Sequence, residues 1–488
     1  MEQDMKRPGI MIAAPGSGSG KTTFTTGLLA ALSARGETVY AYKCGPDYID
    51  PMYHMAALRE GQKQQAGWDQ KPVSRNLDTF FTDDQTTRRL YLEDPDDGYH
   101  IVEGVMGLYD GVAGTEEQGS SYDLARALGL PIILVVNARG QGRSLAALLA
   151  GFQKFDVHHL IRGVVLNQTS KEMYLRLAPL IESETGLACL GYLPKDSRLE
   201  APSRHLGLLA PGELPEAYIR AARETVEQQL DWERFFRIAS AAERPNGEMK
   251  ADPNDRSDDK PKNQTYDKSS VRLAVARDAA FSFCYADNLR MLERAGAELV
   301  FFSLLADAHL PERIDGLLLS GGYPELYAEQ LSENSGMLRD IRDAVRSGLP
   351  TVAECGGFLY LQQELQGSDG QMHPMVGVLP GMASNQGRPV RFGYAMIREK
   401  SPIFLPEGTI CRGHEFHYYD STENGSSCLV EKPVTGRSWE AVFTTETLWA
   451  GFPHVYYPAC PEFVESFISR MKRYSQSMEE YASVRSME

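Results

Sequence analysis

The chain has 488 residues, more than one ordinary core accommodates, so two or three domains are expected. Hydrophobic residues make up 42% and charged residues 24%, a balance typical of a soluble globular protein. The formal net charge of −16 argues against a nucleic-acid partner, because proteins that bind phosphate backbones need basic faces. No segment approaches the roughly 20 apolar residues of a membrane-spanning helix, so no membrane association is expected.

The seven cysteines are odd in number and contain no CxxC pair, which argues against both a disulfide framework and a zinc site. The short apolar stretch near the N-terminus runs into a glycine-rich segment rather than a small-residue cleavage site, so we interpret it as a strand and not as a secretory signal. A reducing, cytoplasmic location is therefore expected.

The first part of the chain alternates short apolar runs with segments of helix length. Strands are predicted at 9–14, 38–43, 100–105, 131–137, 161–167 and 188–193, and helices at 21–35 and 214–239. Such alternation is typical of a parallel sheet with crossover helices, so we predict an α/β domain over residues 1–240.

The composition changes abruptly between residues 241 and 269, where charge, Pro, Asn and Ser dominate. A segment with so few large apolar residues cannot offset the entropy of ordering, so we predict a disordered linker. A second α/β pattern follows and predicts a domain over 270–475 and a C-terminal tail over 476–488. Its predicted strands are 272–278, 298–303, 314–320 and 350–354, and its predicted helices are 285–296, 335–347 and 461–474.

The segment APGSGSGKTT (14–23) lies between the first predicted strand and helix. Backbone N–H groups of a glycine-rich turn and of a helix N-terminus form a pocket for phosphate oxygens. Pro15 stands where the strict phosphate-loop pattern has Gly, yet GKTT at the strand-to-helix junction favours nucleotide binding over a simple turn. The candidate ATP-binding residues are Gly18, Gly20, Lys21 and Thr22, with the Thr22 hydroxyl as a Mg²⁺ ligand.

Two further segments supply candidate partners for this site. Glu103 directly follows the apolar run HIV (100–102), where phosphate-loop enzymes place an acidic metal ligand; Asp110 is the second choice and is equally explained as a turn residue. The loop KCGPDYIDPMYH (43–54) concentrates charged and aromatic side chains, although successive turns explain part of it. Its candidates for contacts with a substrate are Lys43, Asp47 and Tyr48; Arg75 and Arg204 are further sources of positive charge.

The segment PTVAECGGFLYL (350–361) places Cys355 between an apolar strand and a helix. This is the arrangement of a nucleophile elbow, and the glycines after the cysteine favour it over a buried structural thiol. Backbone N–H groups at Gly356, and at Gly322 in SGGYPE, are candidates for an oxyanion hole. A base is also required, and spacing alone leaves His414, His417 and His454 open.

Together these motifs resemble the cobyrinate a,c-diamide synthase family, over nearly the whole chain except 241–269. They are APGSGSGKTT, KCGPDYIDPMYH, SRNLD, EGVMGLYDG, VVLNQTS, SGGYPE, AECGGFLYL and RGHEFHYY, in family order. The resemblance implies an α/β fold throughout, with a P-loop parallel-sheet ATP domain followed by a second α/β class I glutaminase domain. It also implies ATP and Mg²⁺ as cofactors, and glutamine and a tetrapyrrole polycarboxylate as substrates, with a homodimer left open.

The resemblance further implies Cys355 as the nucleophile, His454 as its base and Asn167 as an ATP-binding residue. Two departures stand out: Tyr456 replaces a histidine that the family usually has two positions after His454, and Asn137 replaces a common aspartate. The carboxylate of the usual His-x-Glu triad is also absent, so another group is needed to orient the imidazole, or the two residues act as a dyad.

Four alternatives to a cobyrinate enzyme remain. Close relatives amidate nickel-sirohydrochlorin or hydrogenobyrinate. A regulatory or partitioning P-loop ATPase is the alternative from another class, but it would have a lysine where Gly16 stands and no use for a cysteine elbow. The last is a dethiobiotin-type synthetase that uses free ammonia and carries an inactive glutaminase half.

Overall fold

The computed structural model describes residues 7–63, 72–200, 216–242, 244–245 and 271–485. The chain forms two compact units, one on either side of the gap before residue 271. Most of the predicted linker and Arg204 lie outside the described residues, and the domain limits at 240 and 270 remain predictions.

The first unit is a parallel sheet of seven strands in the order β3-β2-β4-β1-β5-β6-β7. Its strands are β1 (Gly9–Ala13), β2 (Val39–Cys44), β3 (Ser74–Leu77), β4 (Tyr99–Glu103), β5 (Ile132–Asn137), β6 (Ile161–Asn167) and β7 (Ala188–Leu193). Its helices are α1 (Lys21–Ala34), α2 (Ile49–Gln62), α3 (Asp84–Leu92), α4 (Ser121–Leu128), α5 (Ser144–Phe155), α6 (Lys171–Thr185), α7 (Glu216–Gln229) and α8 (Trp232–Ala239). All five residues of β1 are buried, as a central strand covered by helices requires.

The prediction of one helix over 214–239 is wrong, because the described part of that segment forms α7 and α8. The Asp231 carboxylate accepts a hydrogen bond from the Arg234 backbone N–H and so caps the start of a new helix. The six predicted strands of this unit and the predicted helix at 21–35 are confirmed to within two residues at each end.

The second unit is built on a six-stranded sheet in the order β10-β8-β11-β13-β23-β22, parallel except for β22 at its edge. Its strands begin with β8 (Val271–Ala276), β9 (Phe281–Phe283), β10 (Ala297–Phe302), β11 (Gly316–Leu319), β12 (Gly321–Gly322), β13 (Thr351–Glu354), β14 (Glu364–Gln366), β15 (Met372–Pro374) and β16 (Met382–Asn385). They continue with β17 (Arg391–Glu399), β18 (Ile410–His417), β19 (Tyr419–Ser421), β20 (Cys428–Glu431), β21 (Ser438–Ala441), β22 (Phe443–Thr444), β23 (Leu448–Gly451) and β24 (His454–Val455).

The helices of this unit are α9 (Ala286–Arg294), α10 (Ala328–Glu333), α11 (Ser335–Arg346), α12 (Gly356–Leu361) and α13 (Pro461–Arg485). Large apolar clusters pack against the sheet, one including Leu317 and Phe358, the other including Val352 and Trp449. A five-stranded sheet, β21-β20-β17-β18-β24, carries His414 and His417 on β18 and His454 on β24. The helix α13 continues to Arg485, eleven residues beyond the predicted helix end at 474, and the tail over 476–488 remains a prediction.

Among the described residues, no helix has the length and apolar character needed to cross a bilayer.

Candidate active sites

The glycine-rich loop between β1 and α1 is shaped by two glycines with positive φ, 77° at Gly18 and 100° at Gly20. Side chains rarely adopt such angles, so glycine is required there. The Asn167 Nδ2 atom donates to the Ser19 carbonyl at 2.8 Å, and a Cβ on Gly20 would lie 2.1 Å from that nitrogen. Asn167 therefore holds the loop in place, while its direct contact with ATP stays a prediction.

Lys21 and Thr22 open α1 at the carboxyl edge of the sheet. The Lys21 ammonium donates to the Met106 carbonyl and lies 3.5 Å from the Gly16 carbonyl. Burial, together with the neighbouring Lys43, lowers the pKa of Lys21 to about 8. A phosphate beside Lys21 would oppose that shift, because a nearby negative charge favours the ammonium form.

Glu103 is the last residue of β4 and lies opposite Lys43 in the register of β2. Its Oε1 accepts a hydrogen bond from the Thr22 hydroxyl at 2.7 Å and lies 3.4 Å from the Lys43 ammonium. Lys43 also pairs with Asp50 at 2.7 Å. Burial alone would lower the pKa of Lys43, but Asp50 and Glu103 outweigh it and raise the pKa above its ordinary value.

The oxygen ligands of this cluster fit Mg²⁺, which prefers hydroxyl and carboxylate oxygens and is usually held by one or two carboxylates plus substrate phosphates. Thr22 and Glu103 supply such atoms, and Asp50 Oδ1 lies 3.4 Å from the Thr22 hydroxyl. Within the described ranges, no three His, Cys, Asp or Glu side chains are grouped as a complete metal cage. Mg²⁺ bound here would complete its shell with water and with the nucleotide's own oxygens.

The remaining residues of the 43–54 loop have roles that the structure explains in part. Asp47 Oδ1 accepts the backbone N–H groups of Ile49 and Asp50 at 2.8 and 3.3 Å and so fixes the start of α2. Burial and the nearby Asp50 raise the pKa of Asp47 to about 6. Tyr48 lies half-buried beside it. Their contacts with a substrate remain a prediction.

Two other sequence candidates turn out to be structural. Arg75 is 1% exposed and donates to Asp94 Oδ2 at 2.7 Å and to the Leu90 carbonyl at 2.8 Å, so it has a structural role, and its contact with a substrate remains a prediction. Asp110 Oδ2 accepts the Gly107 backbone N–H at 3.0 Å, which supports the interpretation as a turn residue.

In the second unit, Cys355 occupies a sharp turn between β13 and α12. Its φ of 49° is strained for a residue with a side chain, and such strain is typical of a nucleophile elbow. A Cβ on Gly357 would lie 2.2 Å from the Leu319 carbonyl, so the turn can pack against β11 only with glycine at that position.

His454 is the histidine that reaches the nucleophile. Burial lowers its pKa, but the neighbouring Cys355 thiol and Glu354 carboxylate raise it to about 10. The Nδ1 atom lies 3.6 Å from Glu354 Oε2, and Glu354 Oε1 accepts the Val455 backbone N–H at 3.1 Å. A Cβ on Gly321 would lie 2.3 Å from the His454 ring, so this glycine makes room for the imidazole.

The two candidate oxyanion-hole glycines lie against each other. A Cβ on Gly356 would be 3.0 Å from the Gly322 nitrogen. Gly356 also opens α12, and the first N–H groups of a helix have no partner within that helix. The arrangement is compatible with two N–H donors near Cys355, and their role remains a proposal.

The other two histidines do not fill the position of the base. His414 pairs with His454 in the register of β18 and β24, and burial and the neighbouring His454 lower the pKa of His414 to about 3. His417 stacks on Phe452 with ring centroids 3.8 Å apart, and its Nδ1 donates to the Tyr419 carbonyl at 2.6 Å.

Sequence reasoning missed Glu354 as the group that orients the imidazole. The usual triad has its carboxylate after the histidine in the chain, whereas here the carboxylate immediately precedes the nucleophile, at the end of β13. The pairing of β13 with β23 places Glu354 opposite Gly451, three residues before His454. Tyr456 directs its hydroxyl to Asp287 at 3.4 Å rather than taking the place of that carboxylate.

We expect His454 to contribute to stability in a pH-dependent way. Because its pKa is raised from 6.5 to about 10 on folding, the contribution is complete below pH 6.5, declines as the pH rises, and is lost above about pH 10. The measurement is the free energy of unfolding of this unit, obtained by urea denaturation of the wild type and of His454→Gln at a series of pH values. The difference in unfolding free energy should shrink from pH 6.5 to about pH 10; a constant difference would contradict it.

The fold and the two sites define the class: a nucleotide-binding α/β unit followed by a glutamine amidotransferase unit with a Cys-His-Glu site. A CobB/CobQ-like glutamine amidotransferase domain matches residues 272–456, and a CobQ/CobB/MinD/ParA nucleotide binding domain matches residues 10–209. The chain belongs to the cobyrinate a,c-diamide synthase family.

Three relatives illustrate this membership. The cobyrinate a,c-diamide synthase of Priestia megaterium is 35% identical over 95% of this chain and 97% of its own. That of Caldanaerobacter subterraneus subsp. tengcongensis is 35% identical over 96% and 99%. The hydrogenobyrinate a,c-diamide synthase of Streptomyces coelicolor is 36% identical over 95% and 98%.

Proposed function

We propose that this protein is a glutamine-hydrolysing ligase that amidates the a and c carboxylates of cobyrinate at the expense of ATP, in cobalamin biosynthesis. The observation that carries the proposal is the Cys355–His454–Glu354 site in a chain whose other unit holds a phosphate loop with Lys21 and Glu103 beside it. A glutaminase alone has no use for the second site, and a regulatory P-loop ATPase has no use for the first.

In the glutaminase half, His454 takes the thiol proton of Cys355, and the sulfur attacks the side-chain amide carbon of glutamine. Glu354 holds the imidazolium, and N–H groups at Gly322 and Gly356 stabilise the tetrahedral oxyanion. His454 then gives its proton to the departing ammonia. Water hydrolyses the thioester to release glutamate and restore the thiol.

In the ATP half, Gly18, Gly20 and Lys21 cradle the phosphates, and Thr22 with Glu103 would hold Mg²⁺. The chemistry that the ion supplies when bound is neutralisation of the phosphate charge. A carboxylate oxygen of the substrate attacks the γ-phosphorus, and ADP leaves. Ammonia then attacks the acyl carbon, phosphate leaves with the C–O bond electrons, and the carboxamide loses a proton.

The substrate side is assigned to the 43–54 loop, with Lys43, Asp47 and Tyr48 as its candidate residues. Lys43 is buried and already paired with Asp50 and Glu103. We therefore place it where the reacting carboxylate meets the γ-phosphate rather than at the rim of the macrocycle. A cytoplasmic location and a homodimer remain predictions from the sequence.

Hydrogenobyrinate is the alternative substrate that a specific observation favours, because one 36% identical relative carries that name. The test is ATP turnover and amide formation with cobalt-containing, nickel-containing and metal-free tetrapyrrole acids. The proposal predicts the highest kcat/KM with cobyrinate. A preference for the metal-free or the nickel substrate would replace the named substrate, and turnover with none of them would overturn the proposal.

A further inference from the structure

Three buried side chains, Ser74, His54 and Glu103, form a hydrogen-bonded chain beside the proposed Mg²⁺ ligand Thr22. His54, on α2, has its Nε2 atom 2.8 Å from Glu103 Oε2 and its Nδ1 atom 2.8 Å from the Ser74 hydroxyl on β3. His54 and Glu103 are both 0% exposed, so bulk solvent does not reach these two side chains. The chain joins a helix to two strands of the sheet.

His54 is held at both of its ring nitrogens. An ionised carboxylate only accepts, so the His54 Nε2–H donates to Glu103. The Nδ1 atom shares a hydrogen bond with the Ser74 hydroxyl, a group that can donate or accept.

Both oxygens of the Glu103 carboxylate accept hydrogen bonds. Oε2 is held by His54, and Oε1 accepts from the Thr22 hydroxyl at 2.7 Å. Thr22 and Glu103 are the residues proposed to hold Mg²⁺. A carboxylate fixed through one oxygen presents the other at a fixed position, here 2.7 Å from the Thr22 hydroxyl and 3.4 Å from the Lys43 ammonium.

We propose that His54 is a positioning residue that aims Glu103 Oε1 at the metal of a bound Mg²⁺–nucleotide, and that Ser74 fixes the imidazole for this task. The inference rests on the proposed function, because it requires that ATP binds with Mg²⁺ at this loop. The alternative is that the three side chains merely fasten α2 to the sheet.

The test measures ATP binding by calorimetry at a series of Mg²⁺ concentrations and again with EDTA. Loss of a residue that orients a metal ligand typically costs about 10- to 100-fold in metal affinity. We expect His54→Ala to raise the Mg²⁺ concentration for half-maximal enhancement of ATP binding by that factor, with binding in EDTA unchanged. His54→Gln, whose amide N–H can donate to Glu103, should restore most of the loss.

Two further variants keep the result decisive. Ser74→Ala retains the His54 imidazole but removes the hydrogen bond that fixes its orientation. We therefore expect a smaller rise in the Mg²⁺ concentration for half-maximal enhancement of ATP binding. This variant also tests the inference if His54→Ala fails to fold. The matched control is His100→Gln. His100 is a buried histidine on β4, the strand that carries Glu103, but it hydrogen-bonds with Arg7 and Tyr42. This variant should leave the Mg²⁺ dependence unchanged.

Equal Mg²⁺ dependence in the wild type, the His54 variants and Ser74→Ala would overturn the inference and leave the proposed function standing. A shift of the same size in His100→Gln would also overturn it, because general destabilisation would then be the cause. If the wild type itself shows no Mg²⁺-dependent ATP binding, the proposed function fails and this inference with it.

Discussion

Replacing Cys355 by alanine is expected to lower glutamate release from glutamine by about 10⁴-fold or more, because no other nucleophile occupies the turn. Amidation driven by glutamine should disappear with it. Amidation driven by added ammonium should persist, since the phosphate loop lies in the other unit and does not depend on the thiol. Glutamate release and amide formation, each with glutamine and with ammonium, are the measurements.

Cys189→Ala is the matched control for this experiment, because it removes a buried thiol from β7 of the first unit. It should leave both activities close to those of the wild type. If Cys355→Ala releases glutamate at the wild-type rate, the glutaminase assignment is wrong. If it loses amidation with ammonium as well as with glutamine, the assignment of the two reactions to separate sites is wrong.

Replacing Lys21 by methionine should have the second largest effect, a loss of about 10²- to 10³-fold in ATP-dependent amidation with either nitrogen source. The side chain keeps most of its length and loses the charge that the bound phosphates need. Glutamine hydrolysis assayed without ATP should be unchanged. ADP formation with a saturating tetrapyrrole acid measures the effect.

The control for the lysine experiment is Lys154→Met on the exposed side of α5. It removes the same charge from the surface and should have no effect on ADP formation. Wild-type turnover in Lys21→Met would contradict the placement of the nucleotide at this loop.

The sequence was informative wherever function depends on a short local pattern. Lys21 and Thr22 follow a glycine-rich turn, and Cys355 stands between a strand and a glycine pair, so each was found without knowledge of the fold. The central strands of both units were found because they are continuous apolar runs between helices.

The features that the sequence did not reveal depend on pairing between distant segments. The strand β3 (Ser74–Leu77) is mostly polar, and its burial is explained only by partners such as His54 for Ser74 and Asp94 for Arg75. Glu354 meets His454 only because β13 pairs with β23. No periodicity in the chain encodes either contact.

Local sequence does not distinguish the three candidate histidines. Each lies in a strand-like segment after Cys355, and only the family resemblance favours His454. In the structure the pairing of β24 with β18 places His454 near the nucleophile and leaves His417 stacked on Phe452.

The central claim is that nitrogen from glutamine ends as an amide on the substrate at the expense of ATP. It is tested most directly by incubating the protein with cobyrinate, ATP, Mg²⁺ and glutamine labelled with ¹⁵N in the side-chain amide. The account predicts a product with two ¹⁵N-carboxamides, and one ADP, one phosphate and one glutamate for each amide formed. Glutamate and ADP released without label in the tetrapyrrole would contradict it.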